Sequence, residues 1–209
     1  MDVRFNDTAE AHGTLIETVA SRAEMGTAIR VASVVLIAGM TAAAAQISIP
    51  LPFTPVPFTL QPMVVLLGGA ALGSRLGMCA QVLYLLAGIA GLPVFAASAV
   101  LPQGALRLLG PTGGYLMSYP FAAFLTGLLA ERGLDRRYLT SVLAMAAGLA
   151  VVFTCGVLWL AWFARPAAAS LDQALRTGLY PFIPADIIKI FAAAAVMPTL
   201  WKLTGNRGA

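Results

Sequence analysis

Four stretches of this chain, residues 31–74, 76–106, 108–130 and 138–164, contain no charged side chain. Each is long enough to cross the hydrocarbon core of a bilayer, where a chain must satisfy its own backbone hydrogen bonds and an α-helix does so. Only 11% of residues are charged and the mean hydropathy is +0.85. A soluble domain of 209 residues would need a much more polar surface. The expectation is an all-α integral membrane protein, with a polar N-terminal tail over 1–26 and one membrane domain over 27–209.

Six transmembrane helices are expected, at about 27–49, 56–73, 76–95, 114–130, 138–164 and 182–203. An even count puts both termini on one side of the membrane. That side then holds nine basic residues: Arg4, Arg22, Arg30, Arg75, Arg132, Arg136, Arg137, Lys202 and Arg207. The other side holds Arg107, Arg165 and Arg176. Basic residues favour the cytoplasm, so both termini are expected to be cytoplasmic. The outer connections are then the long ones. One of them, PLPFTPVPFT at 50–59, has four prolines in ten residues and should be stiff and extended.

The tail holds five acids, two arginines and the only histidine, His12. It lacks the basic start and apolar run of a secretory signal, so it is not expected to be cleaved. Leu15, Ile16 and Val19 fit one face of a short surface helix, with an unstructured tail as the alternative.

Several functions are excluded. The net charge of +4 is spread over loops and does not make a nucleic-acid surface. No P-loop motif is present, so the chain does not bind ATP that way. One histidine, placed in the tail, rules out an intramembrane Ser–His pair and a two-histidine metal site. A single Asp in the membrane segments rules out a two-aspartate protease within one chain. Cys79 and Cys155 fall in apolar segments, where packing is a better role than a disulfide or a metal. No enzyme and no cofactor is expected.

The final segment, PFIPADIIKIFAAAAVMPTLW at 181–201, carries an acid and a base. Asp186 and Lys189 are three residues apart and share a helix face. A charge in hydrocarbon costs at least a few kcal/mol, so a retained pair points to use. The carboxylate can accept hydrogen bonds from a polar ligand while the ammonium meets its carbonyl or carboxylate. The competing account is structural: with Pro184 opening the helix, the dipole favours Asp186 in the first turn, and Lys189 neutralises it. Gly110-Pro-Thr-Gly-Gly-Tyr115 reads as a tight turn, with Thr112 and Tyr115 adding hydroxyls and Gly113 allowing close backbone approach. Thr59 and Gln61 bring another hydroxyl and an amide, although a lone Gln is often satisfied by a neighbouring helix. Small residues at Ala28 and Ala32, at Ala38 and Ala42, and at Gly69, Gly73 and Gly77 make smooth surfaces for helix packing within or between chains. No internal repeat suggests an inverted-repeat transporter.

Three ordered motifs, Pro-Val-Pro-Phe-Thr-Leu-Gln at 55–61, the 110–115 turn, and Pro-Ala-Asp-Ile-Ile-Lys at 184–189, resemble the signature regions of the BioY family. These are the biotin-binding S components of energy-coupling factor transporters. The resemblance implies six helices, cytoplasmic termini, a location in the bacterial cytoplasmic membrane and a vitamin site near the outer face. It also implies partners: biotin, a transmembrane coupling protein and a pair of ABC-type ATPases, with self-association left open. Ala28 and Ala32 best match the small-residue stripe by which such subunits dock the coupling protein. Asp186, Lys189, Gln61, Thr59, Phe58, Thr112, Gly113 and Tyr115 are the implied ligand residues, with Phe53, Phe58 and Tyr115 as apolar walls. The family has a glycine-rich stretch between the third and fourth spans, where this chain reads AASAVLPQG at 96–104. That departure is expected to alter some backbone contacts with the ligand and makes Gln103 a candidate replacement. A subunit for another vitamin, and a membrane protein whose Asp–Lys pair only fixes packing, remain the alternatives.

Overall fold

The structure, a computed structural model, describes residues 13–21, 26–97, 103–164 and 170–203. The expectations for His12, Arg4, Arg22, Arg165 and Arg207, and for part of the 96–104 stretch, lie outside the described residues. The elements are α1 (Leu15–Ser21), α2 (Gly26–Gln46), β1 (Ser48–Ile49), β2 (Phe58–Thr59), α3 (Gln61–Leu72) and α4 (Ser74–Ile89). They continue with α5 (Leu106–Leu109), α6 (Gly113–Glu131), α7 (Tyr138–Trp162), α8 (Leu171–Gly178) and α9 (Ile183–Leu203).

Helix α6 lies at the centre, packed against α7, α3 and α4. Helix α2 covers α3 and α4, α9 packs on α7 and α3, and α8 caps α7. Apolar residues face both inward and outward. Leu66 and Leu160 are fully buried, while Leu36 is 62% and Ile188 70% exposed. Outward-facing residues this apolar fit helices surrounded by lipid rather than water. By length and composition, α2, α7 and α9 can cross a membrane. Helices α3 and α4 are apolar but have only 12 and 16 residues.

The local sequence explains where the expected boundaries shift. The second segment starts at Gln61 rather than 56, because a helix begun at 56 would carry Pro62 in its interior, and Val56, before Pro57, is disfavoured from helical backbone. Pro62 is tolerated in the first turn of α3, where its missing N–H costs nothing. The chain before it instead forms β2, which pairs antiparallel with β1 (Ser48 opposite Thr59, Ile49 opposite Phe58). The first span therefore ends at Gln46. Helix α4 stops at Ile89, ahead of Gly91 at φ +93 and Pro93, short of the expected residue 95.

Glycines set the core spacing. A β-carbon on Gly69 would strike the Ala123 carbonyl, and one on Gly127 would strike the backbone of Gly73 and Ser74. A β-carbon on Gly77 would lie 2.8 Å from Gly69 Cα. The Gly69–Gly73–Gly77 series is thus spent within the chain, joining α3, α4 and α6. Gly73 itself takes φ +84 between α3 and α4, a left-handed turn that suits glycine. Glu131, at the end of α6, accepts from Ser74 N at 2.7 Å and from Ser74 Oγ at 2.8 Å, capping α4.

In the tail, Thr14 and Glu17 cap α1 reciprocally, Thr14 N donating to Glu17 Oε2 at 3.0 Å and Glu17 N to Thr14 Oγ1 at 3.4 Å. Leu15, Ile16 and Ala20 are buried, whereas Val19 is exposed and does not belong to the packed face. Cys79 and Cys155 are likewise exposed on α4 and α7, not packed inside as expected. Ala28 and Ala32 are exposed on α2, while Ala38 is buried within the chain.

Candidate functional site

One end of the bundle holds a cavity of about 740 Å³. The proline-rich loop forms one wall through Pro50, Pro55 and Pro57. Opposite walls come from Phe95–Ala97, from α6 through Tyr115, Leu116 and Tyr119, and from α7 through Leu149, Val152 and Phe153. Helix α9 supplies Phe182 just before its start, then Asp186 and Lys189.

Asp186 lies in the first turn of α9, its amide bonded to the Phe182 carbonyl at 2.9 Å. Asp186 Oδ1 accepts from Lys189 Nζ at 2.6 Å, and both side chains are buried. Lys189 also donates to the Thr59 carbonyl at 2.6 Å, and its ammonium sits 3.7 Å from the Phe58 ring centroid. Strand β2 therefore satisfies the cation with a carbonyl and an aromatic face, while the anion has the helix N-terminus. The pair is neutral as a unit, borders the cavity and offers both a donor and an acceptor.

Thr59 and Gln61 line the cavity beside it. Thr59 Oγ1 donates to Gln61 Oε1 at 3.4 Å, and Gln61 Nε2 donates to Tyr84 Oη at 2.6 Å. The expected neighbouring-helix partner of Gln61 is thus Tyr84 on α4. Thr112 and Tyr115 also line the cavity. The Tyr115 hydroxyl donates to the Gly178 carbonyl at 2.8 Å, so its ring forms a wall while its oxygen anchors α8.

Three expected ligand residues do not line the cavity. Phe58 stacks on Phe182 with centroids 6.5 Å apart and supports Lys189 from behind. Gly113 leaves space for the Leu108 carbonyl and Trp159, so its missing side chain serves helix packing. Gln103 donates to the Phe95 carbonyl at 3.1 Å and holds the 95–97 wall in place. Phe53, expected as a wall, is 59% exposed and outside the lining.

The charged residue missed from sequence is Arg107. It lines the cavity from α5, is 5% exposed and donates to the Ala96 carbonyl, and its Nε has no hydrogen-bond partner among the described residues. Burial lowers its pKa from the ordinary arginine value, and Tyr84 works the other way. Arginine nonetheless stays charged at physiological pH. A signal existed: Arg107 is the one charge between residues 76 and 130. The chamber thus pairs a neutral Asp–Lys unit with a separate guanidinium, joined by apolar walls. Among the described residues no cluster of metal-ligating side chains occurs.

A sequence model of the BioY family matches residues 17–206. A probable biotin transporter BioY of Pyrococcus horikoshii is 41% identical over 84% of this chain and 96% of its own length. The biotin transporter BioY of Thermotoga maritima is 39% identical over 78% of this chain and 90% of its own. A crystal structure of the S component for biotin from an ECF-type ABC transporter superposes with a TM-score of 0.76 at 25% identity, covering 86% of this chain and 94% of that one. These relatives are transporters and not enzymes. A family match across nearly the whole chain, relatives of matching length and the same helical fold lead to one assignment: this chain belongs to the BioY family.

Proposed function

We propose that this protein is a membrane-embedded biotin-binding subunit of a vitamin uptake transporter. The observation that carries this reading is the buried Asp186–Lys189 pair on the wall of a cavity of about 740 Å³, in a chain whose relatives include biotin transporters. Biotin has a ureido ring with two donors and one acceptor, an apolar thiophane, and a carboxylate on a flexible tail. A cavity for it needs polar groups at its ends and apolar walls between them. Asp186 takes ureido N–H groups, and Lys189, Thr59 and Gln61 complete the polar end. Tyr115, Tyr119, Leu149 and Val152 contact the thiophane. Arg107 receives the carboxylate, a bond that its planar fork suits. Thr112 completes the wall.

On this reading α2, α3, α4, α6, α7 and α9 are six spans with cytoplasmic termini in a bacterial cytoplasmic membrane. Biotin is captured at the outer face, and a coupling protein with ABC-type ATPases drives its delivery. The S component that shares this fold comes from an ECF-type ABC transporter, which supports the same partnership here. The coupling protein docks on the exposed Ala28 and Ala32.

The test is a titration of the detergent-purified chain with biotin, thiamine and riboflavin. Biotin should bind stoichiometrically and the other two should not. Binding of another vitamin instead makes this a subunit for that ligand. No binding by a folded chain leaves the Asp–Lys pair as a packing device.

A further inference from the structure

Tyr84 stands one layer behind the cavity and is not part of its lining. It is 1% exposed, yet its hydroxyl makes two hydrogen bonds to segments that do line it. It accepts from Gln61 Nε2 at 2.6 Å and donates to the Val94 carbonyl at 3.3 Å. A carbonyl only accepts, so the single hydroxyl proton is committed to Val94. The lone pairs then face Gln61, and the amide must present its NH2 group to Tyr84. That fixes the sense of the Gln61 amide, with Oε1 toward the Thr59 hydroxyl.

The same residue holds the 92–97 loop. The Phe95 ring meets Tyr84 edge-on, centroids 5.6 Å apart at 85°, and is 1% exposed. It fills the notch left by Gly88, where any β-carbon would strike the ring. Gln46 on α2 also reaches this loop, donating to the Pro93 carbonyl at 3.2 Å, but that contact is exposed. Phe95, Ala96 and Ala97 line the cavity, and Ala96 accepts from Arg107. One hydroxyl thus connects the polar end, through Gln61 and Thr59 to Lys189, with the loop that positions Arg107.

We infer that Tyr84 is the positioning residue of the site: its hydroxyl sets the orientation of the Gln61 amide and, with Gly88, seats the 92–97 loop, so that it governs ligand selectivity and residence time. This rests on the proposed biotin site. Tyr84→Phe keeps the ring and removes the hydroxyl. In the detergent-purified full chain it should speed biotin dissociation about tenfold. It should also narrow the preference for biotin over 2-iminobiotin, whose guanidinium offers N–H donors where biotin has the ureido carbonyl, because the amide is then free to turn its oxygen toward them. General loosening would weaken both ligands equally and would overturn the selectivity role. Gly88→Ala displaces Phe95 but leaves the Gln61–Tyr84 bond. It should speed dissociation of both ligands, and wild-type dissociation would overturn the seating of the loop. This second variant keeps the loop role testable where Tyr84→Phe fails to fold. Hydrogen exchange of the ligand-free chain separates this inference from the biotin assignment. Tyr84→Phe should raise deuterium uptake across 92–97 whatever ligand the site takes. Unchanged uptake overturns the inference even if biotin binds, and a wild-type chain that does not bind biotin overturns only the assignment.

Discussion

Lys189 holds three partners at once: Asp186, the Thr59 carbonyl and the face of Phe58. Asp186 has only Lys189 as a side-chain partner among the described residues. The two substitutions should therefore differ. Asp186→Asn keeps an acceptor for the ammonium, whereas Lys189→Ala strands a buried carboxylate. We expect both to weaken biotin binding at least tenfold, about 1.4 kcal/mol. Lys189→Ala should in addition destabilise the chain by about 3 kcal/mol, and Asp186→Asn by clearly less. Thermal unfolding beside the titrations checks this, and equal destabilisation would mean that Phe58 and Thr59 do not support the cation. A second test sits far from the cavity. Asp135, between α6 and α7, is buried and accepts from Trp201 Nε1 at 2.6 Å. Burial raises its pKa, with Trp201, its own backbone and Arg136 working the other way. The folded chain then holds that proton more tightly than the unfolded chain. The associated stability is complete below the unfolded pKa and is lost as pH rises through the folded one. Asp135→Asn keeps an oxygen for Trp201, so it should flatten the stability profile from acid to neutral pH and raise Tm at pH 7. A lower Tm at pH 7 would mean the carboxylate itself is needed there. The Asp186–Lys189 pair is legible from sequence because helical spacing alone brings it together. Arg107 and Tyr84 are not, because their partners depend on where a loop and a helix meet.

At the scale of elements, glycine identity divides into two kinds that sequence does not separate. Gly69 faces the Ala123 carbonyl, whereas Gly39 on α2 has nothing within 4 Å of an added β-carbon. Gly69→Ala must push backbone apart and should cost about 1–3 kcal/mol. Gly39→Ala relieves the entropy of a helical glycine with no clash, and should leave the isolated chain unchanged or more stable by about 0.5–1 kcal/mol. Denaturation of the two purified variants reads the sign, and a stabilised Gly69→Ala would contradict the close packing of α3 on α6. The same distinction explains which elements are legible. The fourth, fifth and sixth segments begin and end close to expectation, since apolar runs bounded by charge or turn residues define them. The second and third depart from it because Pro57, Pro62 and Gly91 act locally, inside stretches whose hydropathy does not change. Gly113 reads as a ligand contact for a related reason: a glycine that admits a ligand and one that admits Trp159 look the same in sequence.

The whole molecule has two opposed ends. One carries the cavity, the proline loop and α8, tied together by Thr54 Oγ1 donating to the Thr177 carbonyl at 2.6 Å. The other carries the α3–α4 turn, α1 and the basic residues Arg132, Arg136 and Arg137. If the basic end is cytoplasmic, a cysteine at Gly133 stays protected from a membrane-impermeant thiol reagent in intact cells, and one within α8 reacts; the reverse pattern inverts the molecule. Docking of a coupling protein can then be separated from ligand capture. Ala28 and Ala32 are exposed near the start of α2, on the same end as α1, while Ala38 is already buried in the chain. Close helix approach requires small side chains, so Trp at both Ala28 and Ala32 should abolish ATP-driven uptake and co-purification with the coupling protein. Neither residue lines the cavity, so the isolated variant should bind biotin as the wild type does. Normal transport by the double Trp variant would move the docking surface elsewhere. Ala38 and Ala42 are then poor substitutes, because Ala38 is buried and Ala42 packs against the core; Gly39 and Ala43, exposed on α2, take their place. Loss of biotin binding by a folded variant would mean that the two ends are coupled through α2 even without the partner.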